Sequence, residues 1–438
     1  MARQMKDSGI EWIGEIPETW DVAKVGYFFD IQLGKMLQPT QQAPDDVLGK
    51  YLCAANVGGN QLKYSPLKEM WFSPSEVQSL KVQKGDMLVV EGGDVASCDI
   101  VNEDVGELYF QNALHRVRPT SDFDIRILKY WLWMTKGIGH IDLICNKATI
   151  AHFSKEKFIA LPVVALPLGE QQRIAAFLDR KCAEIDAVIE RTKATIEEYK
   201  KLKQAVITEA VTKGVRGPRP MKDSGIEWIG EIPVSFEKFR VKHVTDVHGR
   251  IGFRGYTTDD MVDAGEGAIT LSPSNIRDMS MNYDKCSYIS WEKYSESPEI
   301  QIHDGDLLMV KTGSSYGKTA LVANLPMEAT INPQLIVMNN FRVIPQFLNY
   351  YFHTYVVLSQ IENAVVGGTI PTMAQEKINN FYFFAPALEE QQEIAAYLNE
   401  KCAALDTLIA KKTALLTELE TYKKSLIHEY VTGKKEVL

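Results

Sequence analysis

Apolar side chains recur along residues 166–214 on a seam with alternating steps of three and four: Leu178, Cys182, Ile185, Ile189, Ile196, Tyr199 and Val206. The seam returns 220 positions later at Leu398, Cys402, Leu405, Ile409, Leu416, Leu419 and Leu426. It is narrower than the stripe of an ordinary core helix and predicts two long helices packed along their length, each the other's partner. At about 1.5 Å per residue each helix would reach roughly 60 Å, a length suited to a spacer. Lys203 and Lys423 fall on the seam at matched positions. A polar residue there fixes register at some cost in stability.

A block of different pattern precedes each helix. In the first block, alternation from Val22 to Ile31 predicts a strand that breaks at Leu33-Gly34-Lys35. The turn Lys84-Gly85-Asp86 leads into an apolar strand, Met87 to Val90, and shorter strands are expected around Leu108 to Phe110 and His115 to Val117. Ile127, Leu128, Trp131 and Leu132 share one side of a helix from Asp124 to about Lys136. The second block keeps this plan in other letters. It has a loop from Gly249 to Tyr256, a turn at Gly305-Asp306, a strand from Leu307 to Val310 and a helix near Pro345 to Ile361. Both blocks are mixed α and β.

The chain is therefore a duplication. Residues Met5 to Pro17 read MKDSGIEWIGEIP, and Met221 to Pro233 repeat the same thirteen letters. The order is motif, variable block, long helix, then the same again. The boundaries are 1–165 for the first motif and block, 166–214 for the first helix, 215–220 for a Gly/Pro linker, 221–385 for the second motif and block, and 386–438 for the second helix and tail. Since the second motif begins just after the first helix, the first motif should lie beside the end of the second helix, near Tyr430 to Gly433. The pieces kept alike must do one job twice. The blocks that drifted on a common skeleton read as two heads with related but different targets.

Composition narrows the class. A chain of 438 residues, 45% hydrophobic and 24% charged, is ordinary globular material with room for two or three cores. The start, Met1-Ala-Arg-Gln, has no apolar signal region, and the most apolar run, Phe158 to Leu168, is short and broken by Pro162 and Pro167, which points away from secretion and membrane spanning. The six cysteines form no C-x-x-C pair and read as reduced cytoplasmic thiols. A net charge of −9 is unusual for a nucleic-acid binder, so any DNA contact needs a local patch or a partner that supplies phosphate contacts.

No catalytic constellation is visible. The run Lys311 to Thr319 has three residues between its first Gly and Gly-Lys-Thr where a phosphate cradle needs four, and its flanks predict strand-loop-strand. Asn332-Pro333-Gln334 lacks the second proline and aromatic of an adenine methyl-transfer motif, and His140 and His152 have no metal-ligand spacing. A non-catalytic binding subunit without cofactor or metal of its own is expected. Contact with DNA is expected on polar loops, where guanidinium, ammonium and amide groups reach phosphates and base edges. The candidates are Lys35, Asn56, Asn60, Asn112, His115 and Arg116 in the first block. In the second they are Arg250, Arg254, Tyr256, Asn275, Arg277, Lys311, Ser315, Tyr316 and Lys318.

The run Glu-Gln-Gln-Arg-Ile-Ala-Ala-Phe-Leu at 170–178, its copy at 390–398, the start Gly-Ile-Glu-Trp-Ile-Gly-Glu-Ile-Pro, and Gly-Gly-Thr-Ile-Pro371 together resemble the HsdS-like specificity subunits of type I restriction-modification systems. The resemblance spans the whole chain. It implies an α+β fold: two mixed α/β target-recognition domains separated by two long antiparallel coiled-coil helices, with a pseudo-twofold internal repeat. It implies that each domain reads one half of a split double-stranded DNA target while the helices set the gap. It also implies partners: two methyltransferase subunits that bind S-adenosylmethionine, and restriction/translocase subunits that use ATP and magnesium. The first copy departs from the pattern with Lys147-Ala-Thr-Ile-Ala151, which weakens any transfer of a DNA contact to Thr149. The competing reading is a scaffold that joins two copies of a partner through the paired helices and touches no DNA.

Overall fold

A computed structural model describes residues 3–59, 61–145, 151–226, 229–250, 252, 255–364 and 371–437. The chain forms two compact units, Met1–Lys193 with Ala414–Leu438, and Ala194–Thr413. Each unit thus holds one mixed block and a stretch of each long helix.

In the first unit a four-stranded antiparallel sheet runs in the order Cys98–Ile100, Met87–Val90, Leu114–Pro119, Phe29–Leu33. Beside it lies a three-stranded sheet in which Val47–Leu52 runs parallel to Leu108–Phe110 and antiparallel to Lys68–Phe72. The alternation expected to form one strand from Val22 to Ile31 forms two. Asp21–Lys24 pairs with Pro162–Ala165, and Phe29–Leu33 joins the four-stranded sheet. A 3-10 turn at Val25–Tyr27 redirects the chain between them, because Gly26 lies against Ile159, whose Cγ2 would be 2.5 Å from any added Cβ.

The apolar run Met87–Val90 feeds two cores. Met87 and Val89 face the helix Ile125–Gly137, and Leu88 and Val90 face the three-stranded sheet. The period of two along a strand produces this split, and burial on both faces explains an uninterrupted apolar sequence. The second unit repeats it. Leu307 and Met309 enter one core, Leu308 and Val310 the other. Its two larger sheets have six and five strands among the described residues, with Gly267–Leu271 parallel to Ala329–Ile331. The helix expected over Pro345 to Ile361 is two helices, Pro345–Phe352 and Tyr355–Ala364. The break falls where the Thr354 hydroxyl donates to the Tyr351 carbonyl and His353 turns its ring to the Thr319 hydroxyl, 2.9 Å away.

The long helices run from Leu168 to Lys213 and from Leu388 to Val431. Each ends at a glycine with positive φ, Gly214 at 76° and Gly433 at 71°, the left-handed conformation that closes helices. Within the first unit Phe177 stacks on Tyr430 at 4.4 Å and Lys423 meets Asp186 at 2.7 Å, so the two segments run antiparallel. Within the second, Lys203 meets Asp406 at 2.6 Å, and Arg216, just past the end of the first long helix, meets Glu393 at 2.7 Å. The lysines expected on the seam thus each hold an aspartate of the opposite helix. Burying a leucine-sized side chain contributes about 1.5–3 kcal/mol, whereas an ion pair open to water on one side contributes under about 1 kcal/mol. The apolar seam is the larger contribution to helix pairing, and the two lysine–aspartate pairs match one antiparallel register.

The motif packs where the repeat requires. In the first unit a Cβ on Gly433 would lie 2.5 Å from Pro17. Met5–Asp7 pairs with Glu15–Pro17, and Met221–Asp223 with Glu231–Pro233 in the same register.

Candidate nucleic-acid interface

Burial takes five of the expected contact residues out of reach of a duplex. The Asn56 amide lies inside its loop, where Oδ1 accepts from the Cys53 amide (3.0 Å) and Nδ2 donates to the Lys63 and Pro66 carbonyls (3.1 Å each). Asn275 does the same in the second unit: Oδ1 accepts from Ser272 (2.9 Å) and Nδ2 donates to Asn282 and Lys285 (3.0 Å each). His115 is fully buried with Nε2 2.8 Å from the Phe153 carbonyl, and burial pushes its imidazole below the usual range. Arg116 donates to the Ser79 and Lys81 carbonyls at 2.7 and 3.0 Å. Arg250 donates to the Ile331 carbonyl and the Thr330 hydroxyl, both at 3.1 Å. These groups already have partners, and removing them from those partners would leave buried polar atoms unsatisfied.

The remaining candidates form two small groups. In the first unit Lys35 and Asn112 come together: the Asn112 backbone N–H donates to the Lys35 carbonyl at 2.8 Å, and Gly34 lies so close to Gln111 that a Cβ would meet its carbonyl oxygen at 2.3 Å. The Lys35 ammonium is half-buried on Glu76. In the second unit Lys311, Ser315, Tyr316 and Lys318 sit on one connection between the antiparallel strands Leu307–Val310 and Thr319–Leu321, the strand-loop-strand expected in place of a phosphate cradle. Lys311 is pushed below the usual ammonium range by burial, and its Nζ lies beside Gly249. Lys318 and Arg277 are exposed, whereas Tyr256 is half-buried under the Arg250 guanidinium, 5.2 Å from its ring. Asn60 and Arg254 lie outside the described residues, as do Thr149 and Thr369.

In each unit the mixed block and the helices border an open cleft. That of the first unit measures about 1180 Å³ and is bordered by Gly58, Gly59, Trp133, Asp186, Lys193 and Lys423. That of the second measures about 360 Å³ and is bordered by Asp278, Lys318, His353, Lys203 and Asp406. The side of the helix pair away from the cleft carries exposed apolar residues one position before the seam: Val188 and Tyr422 in the first unit, Leu202 and Leu408 in the second.

Sequence reasoning missed what the Glu-Gln-Gln triplet does. Gln171 is buried; its Oε1 accepts from the Asp124 amide (2.7 Å) and its Nε2 donates to the Leu166 carbonyl (2.8 Å). Gln391 repeats this with the Ile344 amide (2.9 Å) and the Pro386 carbonyl (2.8 Å). Glu170 pairs with Arg3 and Glu390 with Arg219, both at 2.6 Å. The signal was present, since Arg3 and Arg219 both stand two residues before the repeated motif.

Among the described residues no helix is long and apolar enough to cross a membrane, and no group of three His, Cys, Asp or Glu side chains is placed to hold a metal ion. The family model for the type I restriction modification DNA specificity domain matches residues 274–420. The chain is similar to the type I restriction enzyme MjaVIII specificity subunit of Methanocaldococcus jannaschii, 22% identical over 96% of this chain and 94% of that one. It is also similar to the EcoKI specificity subunit of Escherichia coli, 20% identical over 96% and 90%. Among solved structures, a chain from a study of complex assembly and conformational transition of the type I R-M system superposes with a TM-score of 0.72 at 15% identity, covering 96% of this chain and 99% of that one. The HsdS subunit from Thermoanaerobacter tengcongensis gives 0.51 at 16% identity, covering 96% and 98%.

Proposed function

The chain is an HsdS-like specificity subunit of the type I restriction-modification family, and from that premise we propose that each recognition domain reads one half of a bipartite DNA target while the long helices set the unread gap. One observation carries the reading. The two units keep the same internal bonds, as at Asn56 and Asn275, while the polar residues of their loops differ, with a half-buried acidic Glu91 where the second unit has Lys311. A scaffold that only joined two copies of a partner would have no use for that divergence.

The contact residues that remain are Lys35 and Asn112 in the first domain, and Tyr256, Arg277, Lys311, Ser315, Tyr316 and Lys318 in the second. Asn60 and Arg254 belong to the same loops by sequence. Two methyltransferase subunits dock on the matched features of the two units, with Val188 and Tyr422, and Leu202 and Leu408, as repeated apolar contacts on the face of the helix pair away from the clefts. S-adenosylmethionine is bound by those subunits, and ATP and magnesium by the restriction/translocase subunits. With a net charge of −9, this chain leaves much of the phosphate neutralisation to its partners. Single-molecule sequencing of methylated DNA from cells expressing this chain with its methyltransferase tests the reading. A two-part target with a fixed gap is expected, and a contiguous target or no sequence preference contradicts it.

A further inference from the structure

Each recognition domain is fastened to the long helix beside it at two polar points, and the two points are the same in both units. The first is the buried glutamine, Gln171 or Gln391, whose amide bridges the start of the domain's helix (the Asp124 or Ile344 amide) and the residue leading into the long helix (the Leu166 or Pro386 carbonyl). The second lies two turns further along the long helix. There Asp179 accepts from the Tyr130 hydroxyl at 2.7 Å and from Arg126 at 2.9 Å. In the other unit Asn399 accepts from the Tyr350 hydroxyl at 2.8 Å and from Gln346 at 2.7 Å.

Apolar packing tolerates small rotations and slides, but a hydrogen bond weakens steeply once its angle falls below about 120°. One fixed point is a pivot. Two fixed points, separated by eight residues on the long helix and by six on the domain's helix, roughly 12 and 9 Å at 1.5 Å per residue, fix an angle. The chemistry of the second point has changed from Asp with Arg to Asn with Gln, while the acceptor and the tyrosine hydroxyl stayed in place. What has been kept is the geometry of attachment, not a charge or a volume.

We propose that Gln171 with Asp179, and Gln391 with Asn399, are positioning residues that set the angle at which each recognition domain is carried on its helix, and thereby the gap between half-sites that the protein accepts. The inference rests on the bipartite reading above. It locates control of the gap in the joints as well as in helix length, because a domain free to swing presents its loops to the DNA over a range of positions.

The test uses the complete methyltransferase complex and single-molecule methylation sequencing, comparing wild type with Gln171→Met/Asp179→Leu. The expected result is that the half-site bases stay the same while sites with a gap one base pair longer or shorter gain roughly tenfold in relative methylation, the factor lost with about one such bond. Asp179→Asn copies the second unit and should keep the wild-type gap. Should the double variant fail to fold, Tyr130→Phe removes the hydroxyl alone and is expected to relax the gap in the same direction to a smaller extent. A two-part target with an unchanged gap in these variants, whatever happens to their thermal stability, overturns the inference alone. A wild-type complex without a bipartite target overturns the reading of function and this inference with it.

Discussion

The two units solve the same folding problem with different polar chemistry. In the first, Asp86 is buried against the Arg118 guanidinium, with Nε and Nη2 at 2.5 and 2.9 Å from its oxygens. In the second, Met338 pairs with Leu307 as Val117 pairs with Met87, so the place of Arg118 is taken by Asn339; Asp306 accepts from the His303 amide with the exposed His303 imidazole 3.8 Å away, and burial pushes its carboxyl above the usual range. Glu91 faces His152 in the first unit, where Thr312 faces Thr372 in the second. Trp20 donates to Glu170, whereas its counterpart Phe236 has no donor. Backbone-directed bonds held by Asn56 and Asn275, and by Gln171 and Gln391, are unchanged. Side chains that bond backbone are held to one geometry, while side-chain pairs can be exchanged as units. The frame keeps its backbone-directed bonds together with a few matched ion pairs, such as Glu170 with Arg3 and Glu390 with Arg219, while the heads diverged in their side-chain pairs.

This contrast can be broken. The largest effect is expected from Arg118→Met, which leaves Asp86 buried without a counter-charge. A loss of about 3–4 kcal/mol in denaturant unfolding is expected, as for breaking a buried pair, and Asp86→Asn in the same background should restore much of it. Next, Asn56→Ala and Asn275→Ala each strand three backbone groups, and each should cost about 3 kcal/mol. Equal costs in the two units would sharpen the comparison, and a large inequality would show that one of the loops has found another support.

Acid should act through His353, whose place in the first unit is taken by Trp133. Burial pushes this imidazole down to about 4, below an unfolded value near 6.5. Its contribution is therefore full above about pH 6.5 and is lost as pH falls toward 4, on the order of 3 kcal/mol. Hydrogen exchange followed across this range should report weakening around Thr319 and Asn349, and His353→Gln should remove that component. The smallest effect belongs to the seam. Lys203→Leu with Lys423→Leu should raise the melting temperature slightly, by less than about 1 kcal/mol of stability, while allowing more than one helix register. Unchanged or lower stability would count against the lysines as register residues.

Much of the frame was legible because it is periodic. The seam, its two copies, the thirteen-residue repeat and the apolar strands Met87–Val90 and Leu307–Val310 each follow from spacing alone. What escaped depends on contacts distant in sequence. Val22 to Ile31 alternates like one strand, and contacts with residues 159–165, among them Ile159 against Gly26 and the Val25 amide on the Leu161 carbonyl, turn it into two. The candidate site was less legible than the fold. Arg116 and Arg250 are residue types that bind phosphates, but residue type does not tell which way a side chain points from a strand packed on both faces, as at Arg116, or from the residue just past a strand's end, as at Arg250. Asn56 and Asn275 carried a usable signal, an asparagine kept at equivalent places in blocks that otherwise drifted.

The most direct test of the account exchanges residues 18–165 for the corresponding block of another specificity subunit and sequences the methylated DNA. Two heads on one frame predict that one half of the target changes while the other half and the gap persist. A target unchanged in both halves, or altered in both, would contradict it.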